Sequence, residues 1–217
     1  MKKTELKLES GLVKALENES FNQLTVAELV AAAGISRRSF YIYYKDKYEF
    51  LYDVRSRILK GIKQAMEADR KVIEQFEVRR LQTDEEKYLS THDEFYKLAV
   101  FINENSDMVR TLFSRNATID FYRDFMDLLK EEITIRNSFH KITYGTMIPT
   151  RYAEGIFAGE IISTIRIWVS NHNKESMESI DEFLDILGKI QIISPYHLFR
   201  PIKNSILFVQ NNLAIYK

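Results

Sequence analysis

The 217-residue sequence has no cysteine, three prolines and a single tryptophan. Without cysteine there is no disulfide framework, no thiolate nucleophile and no thiolate metal ligand. The prolines are Pro149, Pro195 and Pro201, and neither Gly nor Pro occurs between Gly61 and Gly145, so the strongest helix breakers are missing from most of the chain. Net charge is missing too, since 31 Lys and Arg balance 31 Asp and Glu, which excludes a globally basic nucleic-acid coat. No stretch reaches the roughly 18 uncharged apolar residues of a membrane helix. The start, Met1-Lys2-Lys3-Thr4-Glu5, is charged where a signal peptide is apolar. The expectation is a cytoplasmic protein with no membrane partner.

What is present points to an all-α fold. Leu8, Leu12 and Leu16 recur every four residues, as do Phe121, Phe125 and Leu129, and strand-like alternation is rare. Charge is unevenly placed: residues 1–60 carry 11 basic and 8 acidic residues, leaving 20 and 23 for the remainder. Within residues 37–47, Arg37, Arg38, Lys45 and Lys47 face only Asp46, a local basic patch of the kind that meets phosphate.

Helix-start signals crowd the segment from Phe21 to Leu51. Thr25 with Glu28 reads as a capping box, stapled by Leu24 and Leu29. Ser36 offers a second N-cap, with Ile35 and Phe40 as its staple, and Asp46 a third with Glu49 at the N3 position. Three helices are therefore predicted to begin near residues 26, 37 and 47, the first two only about two turns long. Gly34 supplies a left-handed residue that ends one helix and turns the chain steeply into the next. The chain divides into a helix-turn-helix unit at 1–50 and a larger helical unit at 51–217.

A recognition helix presents its first turn to base edges. Arg37 and Arg38 stand there, although a helix N-terminus disfavours cations, so their natural partner is an external anion. Phe40 and Tyr44 share the core face of the short helix, leaving Tyr41 and Tyr43 to reach phosphate oxygens, and Lys47 opens the following helix beside its free amides.

These residues, Phe21, Leu24-Thr25-Val26, Glu28-Leu29, Ala33-Gly34-Ile35-Ser36, Ser39-Phe40-Tyr41, Tyr43-Tyr44 and Asp46 to Leu51, resemble the DNA-binding domain of the tetracycline-repressor (TetR) family over residues 5 to 55. The resemblance implies that Arg37, Arg38 and Ser39 address bases while Thr25, Ser36, Tyr41, Tyr43 and Lys47 hold the backbone. The sequence departs from the family at Ser20, Tyr44 and Arg38, the last bearing on base preference because a small residue is frequent there.

A helix is predicted from 47 to about 80, with Leu51, Val54, Ile58, Ile62 and Met66 on one stripe, and others near 84–104, 106–114, 117–140, 150–172 and 176–192, the last opening at Ser176. Phe101 to Asn105, Leu112-Phe113, Phe121 and Gly159 to Trp168 resemble the regulatory domain of the dihydroxyacetone-kinase regulator branch of the family. Gly155, Gly159 and Ser163 clear a strip for a close-packed helix. The resemblance implies a homodimer through residues 150–192, with Ile156, Ile161, Ile165, Trp168, Ile180, Phe183, Leu184 and Leu187 in contact. It also implies a small-molecule effector, for which Tyr88, His92, Phe95, Tyr96, Tyr122, Phe125 and Tyr152 are candidate pocket residues.

None of His92, His140, His172 and His197 lies in a metal-ligand or nucleophile motif, and P-loop and dinucleotide glycine patterns are absent. No catalytic residue, metal site or cofactor is assigned. The function expected is a ligand-responsive repressor that binds a near-palindromic operator as a dimer. The alternative is a co-regulator of the same fold that acts by protein contact without DNA.

Overall fold

The computed structural model describes residues 3–74, 84–117, 120–140, 149–170 and 177–192, with the side chains of 84–90, 140 and 192 left aside. Among these residues the fold is helical throughout. The helices are α1 (Lys3–Leu16), α2 (Val26–Ala33), α3 (Arg37–Tyr41), α4 (Lys47–Ile73), α5 (Asp84–Glu104), α6 (Ser106–Phe113), α7 (Phe121–His140), α8 (Thr150–Ser170) and α9 (Ile180–Ile192), with a 3₁₀ turn at Arg115–Ala117.

The first three helices form as their caps dictate. Thr25 accepts the Glu28 amide at 3.2 Å, while the Glu28 carboxylate takes the Thr25 amide at 2.8 Å. Gly34 stands at φ 62° and ends α2, its amide on the Ala31 carbonyl and that of Ile35 on the Val30 carbonyl. Ser36 accepts the Ser39 amide at 3.0 Å and Asp46 the Glu49 amide at 2.8 Å. Helices this short persist only when packed. Leu8, Leu12 and Leu16 of α1, Leu24 and Leu29 around α2, and Phe40, Tyr44 and Phe50 are all buried in one core. Gly11 is required there, because a β-carbon on it would lie 2.7–2.9 Å from the backbone and β-carbon of Ala33.

Helix α4 continues from this unit into the larger one, so the boundary expected at residue 50 falls inside an unbroken helix. Its buried stripe is Leu51, Val54, Ile58, Ile62 and Met66, as periodicity predicts, and Asp69 extends it. At Gly61 the helix passes so close to Phe101 of α5 that a β-carbon would overlap the ring. On the other side, α4 meets α7 through ion pairs: Arg55 with Asp124, Lys63 with Glu131 at 3.4 Å, and Arg70 with Glu132 at 3.2 Å. The N-terminal unit is anchored by Asn116, which donates to the Leu16 carbonyl at 2.8 Å and accepts the Phe21 amide at 2.7 Å, and by the pair of Glu9 with Arg57.

A buried charged network joins α4, α5 and α7. Asp69 accepts the amides of Lys97 and Leu98 at 2.7 and 3.0 Å, in the middle of α5. Arg136 donates to the Glu94 carbonyl at 2.9 Å, the Met66 carbonyl at 3.2 Å and Glu132 at 2.9 Å. Glu94 and Leu98 are i,i+4 partners, so one helical bond of α5 takes an anion at its donor and a cation at its acceptor from outside the helix. Burial pushes the Asp69 carboxyl up to about 6, against the two amides and the Arg136 and Lys97 charges, which pull it down.

Several predicted helix ends shift. Helix α3 stops at Tyr41, so Tyr43 and Tyr44 lie in the following turn, both amides on the Phe40 carbonyl. Helix α7 starts at Phe121 rather than 117, where Asp120 caps the Arg123 amide at 3.1 Å. The cap of α9 is Ser179, reciprocated by Glu182, and Ser176 lies outside the described residues. Beyond Glu74, the continuation of α4 towards residue 80 also lies outside them, as does the segment 195–217. Among the described residues no helix is long and apolar enough to cross a membrane.

Candidate nucleic-acid interface

Helix α3 is aimed by its buried residue. Phe40 lies fully inside, edge-on to Phe50 at 6.2 Å, and Tyr44 packs on the same rings while its hydroxyl donates to Asp53 at 3.1 Å. Burial and the Asp53 charge push the Tyr44 phenol above the usual range, so it stays protonated. With Phe40 inward, Arg37 and Arg38 are exposed, and neither guanidinium has an ion pair among the described residues. Tyr41 is 56% exposed and Tyr43 is also exposed. The first turn thus holds two uncompensated cations out to solvent at the positive end of a helix dipole, an arrangement that stabilises nothing within the protein.

Ser36 and Ser39 are tied to each other, their hydroxyls 2.9 Å apart, and Thr25 is occupied by Glu28. The same bonds hold the Glu28 carboxyl below the usual carboxylate range. These hydroxyls set the start of each helix first, and each keeps lone pairs or a rotatable proton for an outside partner.

Lys47 departs from its expected place. Its ammonium donates to the carbonyls of Phe21, Asn22 and Leu24 at 2.7, 2.9 and 2.7 Å and sits 5.0 Å and 5.1 Å from the ring centres of Phe21 and Tyr48. All three of its protons are used. In this structure Lys47 clamps the start of α4 to the loop between α1 and α2 instead of standing out beside Tyr41 and Tyr43. Lys47→Met, which keeps the stem and removes the donors, is expected to lower stability by about 2 kcal/mol, measured by urea unfolding, because three carbonyls lose a charged donor.

Among the described residues, the candidate effector residues do not converge on one cavity. Phe95 and Phe125 are core, the first beneath the Arg136 guanidinium and the second against Phe113 and Phe121. Tyr122 and Tyr152 are exposed. His92 stacks on Tyr96 at 5.2 Å and reaches Asp181 of α9 at 3.4 Å, and Tyr96 borders a cleft of about 460 Å³ with Asn103, Met177 and Ile180. The Tyr88 side chain lies outside the described residues. A second cleft, about 520 Å³, separates α4 from α7 and is lined by Tyr52, Arg55, Lys60 and Asp127 among others. Among the described residues no group of His, Asp and Glu has metal-binding geometry.

The apolar residues of α8 and α9 are sorted differently from expectation. Ile161, Ile165, Trp168, Phe183, Leu184 and Leu187 are buried within the protomer, where Trp168 stacks on Phe183 at 4.0 Å and donates to the Glu178 carbonyl at 2.9 Å, and Ile180 is half-buried against that core. Only Ile156 of the expected contacts is exposed. It lies on a stripe with Tyr152, Gly159, Ser163 and Ile167, spaced by three or four residues along the solvent side of α8, and a β-carbon on Gly159 would meet open space.

The fold and this site define an all-helical protein with an N-terminal helix-turn-helix unit and a larger helical unit behind it. Residues 12–54 match the family model of bacterial regulatory proteins, tetR family, so the chain carries that family's N-terminal domain. Among solved structures it is similar to FadR, a fatty acid degradation regulator from Bacillus halodurans, with TM-score 0.55 and 13% identity over 90% of this chain and 97% of that one. It is also similar to a TetR transcriptional regulator from Streptococcus agalactiae 2603V, with TM-score 0.51 and 15% identity over 87% and 93%. FadR from Bacillus subtilis in complex with stearoyl-CoA gives TM-score 0.50 and 19% identity over 87% and 99%. No curated protein matches the sequence.

Proposed function

We propose that the protein is a DNA-binding transcriptional repressor that grips a near-palindromic operator as a homodimer and is released by a small effector. The observation that carries this reading is the pair of exposed arginines, without ion pairs among the described residues, on the first turn of a helix whose only buried side chain is Phe40. An anionic duplex gives those charges the partner that the protein withholds. Tyr41 and Tyr43 flank them as phosphate contacts, with Thr25, Ser36 and Ser39 at the two helix starts.

Dimerisation uses the outward stripe of α8, where Gly159 and Ser163 allow close approach between Ile156 and Ile167, and Ile186 of α9 is exposed as well. Ile167 is 63% exposed, so Ile167→Glu is expected to leave the protomer folded and convert the dimer to monomer in sedimentation equilibrium. An unchanged dimer would place the interface elsewhere.

Helix α4 is the coupling element, since it runs without a break from the Lys47 clamp to the Asp69 network. An effector that tilts it against α5 and α7 changes the spacing of the two α3 helices, and DNA then weakens effector binding by the same factor.

Footprinting on the DNA flanking the protein's own gene tests the reading. Arg38→Ala is expected to cost about 1–3 kcal/mol on the protected site and relax base preference there, with a smaller loss on random duplex. Lys47→Met is expected to leave the slope of affinity against salt unchanged, because its ammonium is already satisfied within the protein. If no duplex is retained at low salt, the co-regulator reading replaces this one.

A further inference from the structure

Ile42 follows α3 directly, its amide on the Arg38 carbonyl at 3.2 Å, with φ −69° and ψ −30° continuing the helical path. At 69% it is the most exposed of the large apolar side chains among the described residues. Helical geometry says where it faces. At about 100° per residue, Ile42 lies some 160° from the buried Phe40 and shares the outward side with Arg38, one turn earlier. Tyr41 and Tyr43 diverge on either side. A β-branched residue adds nothing to a helix end, and no core residue needs its methyls.

On the DNA-binding reading above, the surface carrying Arg38 enters the major groove, and Ile42 enters with it. A helix of five residues is about 7.5 Å long, shorter than the groove is wide, at about 12 Å, so its last turn stays among the bases. Each base pair has a characteristic groove pattern, and the one apolar feature is the C5-methyl of thymine. Four residues along a helix advance about 6 Å, close to two base steps of 3.4 Å.

We propose that Ile42 is a specificity-determining residue that packs on the C5-methyl of a thymine about two base pairs from the base addressed by Arg38. Arginine then reads one position by hydrogen bonds, and isoleucine reads its neighbour by desolvation.

The test uses the full chain and duplexes selected by it from a randomised pool. Each thymine of the selected duplex is replaced in turn by deoxyuridine, which removes the methyl alone. The result expected is one position per half-site where the wild type loses about 4-fold in affinity, the effect of burying one methyl-sized group, and where Ile42→Ala loses nothing further. A melting curve like that of the wild type is expected for Ile42→Ala, since its side chain is in water. If the wild type selects a sequence but every deoxyuridine is tolerated, or costs Ile42→Ala as much as the wild type, the assignment of Ile42 is overturned while DNA binding stands. If no sequence is enriched, the DNA-binding reading fails and Ile42 with it.

Discussion

Replacing Arg136 by methionine is expected to destabilise the folded chain by about 3–5 kcal/mol, the largest effect of any single change at a charged side chain in this structure. Methionine fills much the same volume above Phe95, so the loss is electrostatic. The guanidinium is buried among Glu132, the carbonyls of Glu94 and Met66, and the Asp69 carboxylate. Without it, Glu132 keeps only Arg70 among the described residues, and Asp69 loses a charge that favours its ionised form.

The pH dependence has a definite sign. The folded Asp69 value, about 6, lies above the ordinary 3.8, so the folded state binds this proton more tightly and stability is lost as pH rises from about 4 through about 6. That shift corresponds to roughly 3 kcal/mol. Removing Arg136 raises the carboxyl further, so the deficit of Arg136→Met is expected to be larger at about pH 8 than at about pH 5. Urea unfolding at both values decides it, and a deficit that shrinks at the higher pH would contradict the network. Lysine at 136 restores the charge without the fork and is expected to recover only part of the loss.

Gly11→Val is the second large effect, expected at about 3 kcal/mol with loss of sequence-specific DNA binding. The atoms in the way are the nitrogen, Cα and Cβ of Ala33, and a backbone inside a helix cannot step aside as a side-chain tip does. Glycine-to-alanine changes in exposed helix interiors normally stabilise by about 0.5–1 kcal/mol, and Gly155, which faces open space and is not on the α8 stripe proposed for dimerisation, supplies that control within the same chain. Because α1 and α2 bear on α3 through one core, displacing them turns Arg37, Arg38 and Ile42 away together. Thermal melting reports the first effect, and operator binding well below the melting temperature the second.

Much of the N-terminal unit was legible beforehand. Thr25, Gly34, Ser36 and Asp46 announced three helix starts that the structure has at residues 26, 37 and 47. Each of those signals closes a hydrogen bond within three to five residues, so neighbouring sequence contains both partners. The exposure of Arg37 and Arg38 followed from the inward Phe40 in the same way. Lys47 did not, because its carbonyl partners lie 23 to 26 residues away.

Asp69 and Arg136 left a trace that was readable but ambiguous. Asp69 continues the stripe from Leu51 to Met66, and Arg136 follows Leu129 and Ile133, so both sit where a buried residue belongs. A charged residue on such a stripe is also the usual way for a helix to end its buried face, and only the partner distinguishes the two. On α8, Ile156, Ile161, Ile165 and Ile167 look alike in sequence, yet two are buried in the protomer and two face solvent. An apolar residue states that it seeks cover without stating whose.

The order of the helices, the starts of α2, α3 and α4 and the side of α3 turned to solvent were settled by the sequence itself, since capping and helical periodicity act between residues within one or two turns. Which lysine became a clamp, which carboxylate was drawn into α5 and which isoleucines of α8 stayed outside were settled by the tertiary structure. Those outcomes depend on groups dozens of residues apart meeting in a low-dielectric interior, and no local pattern encodes that meeting.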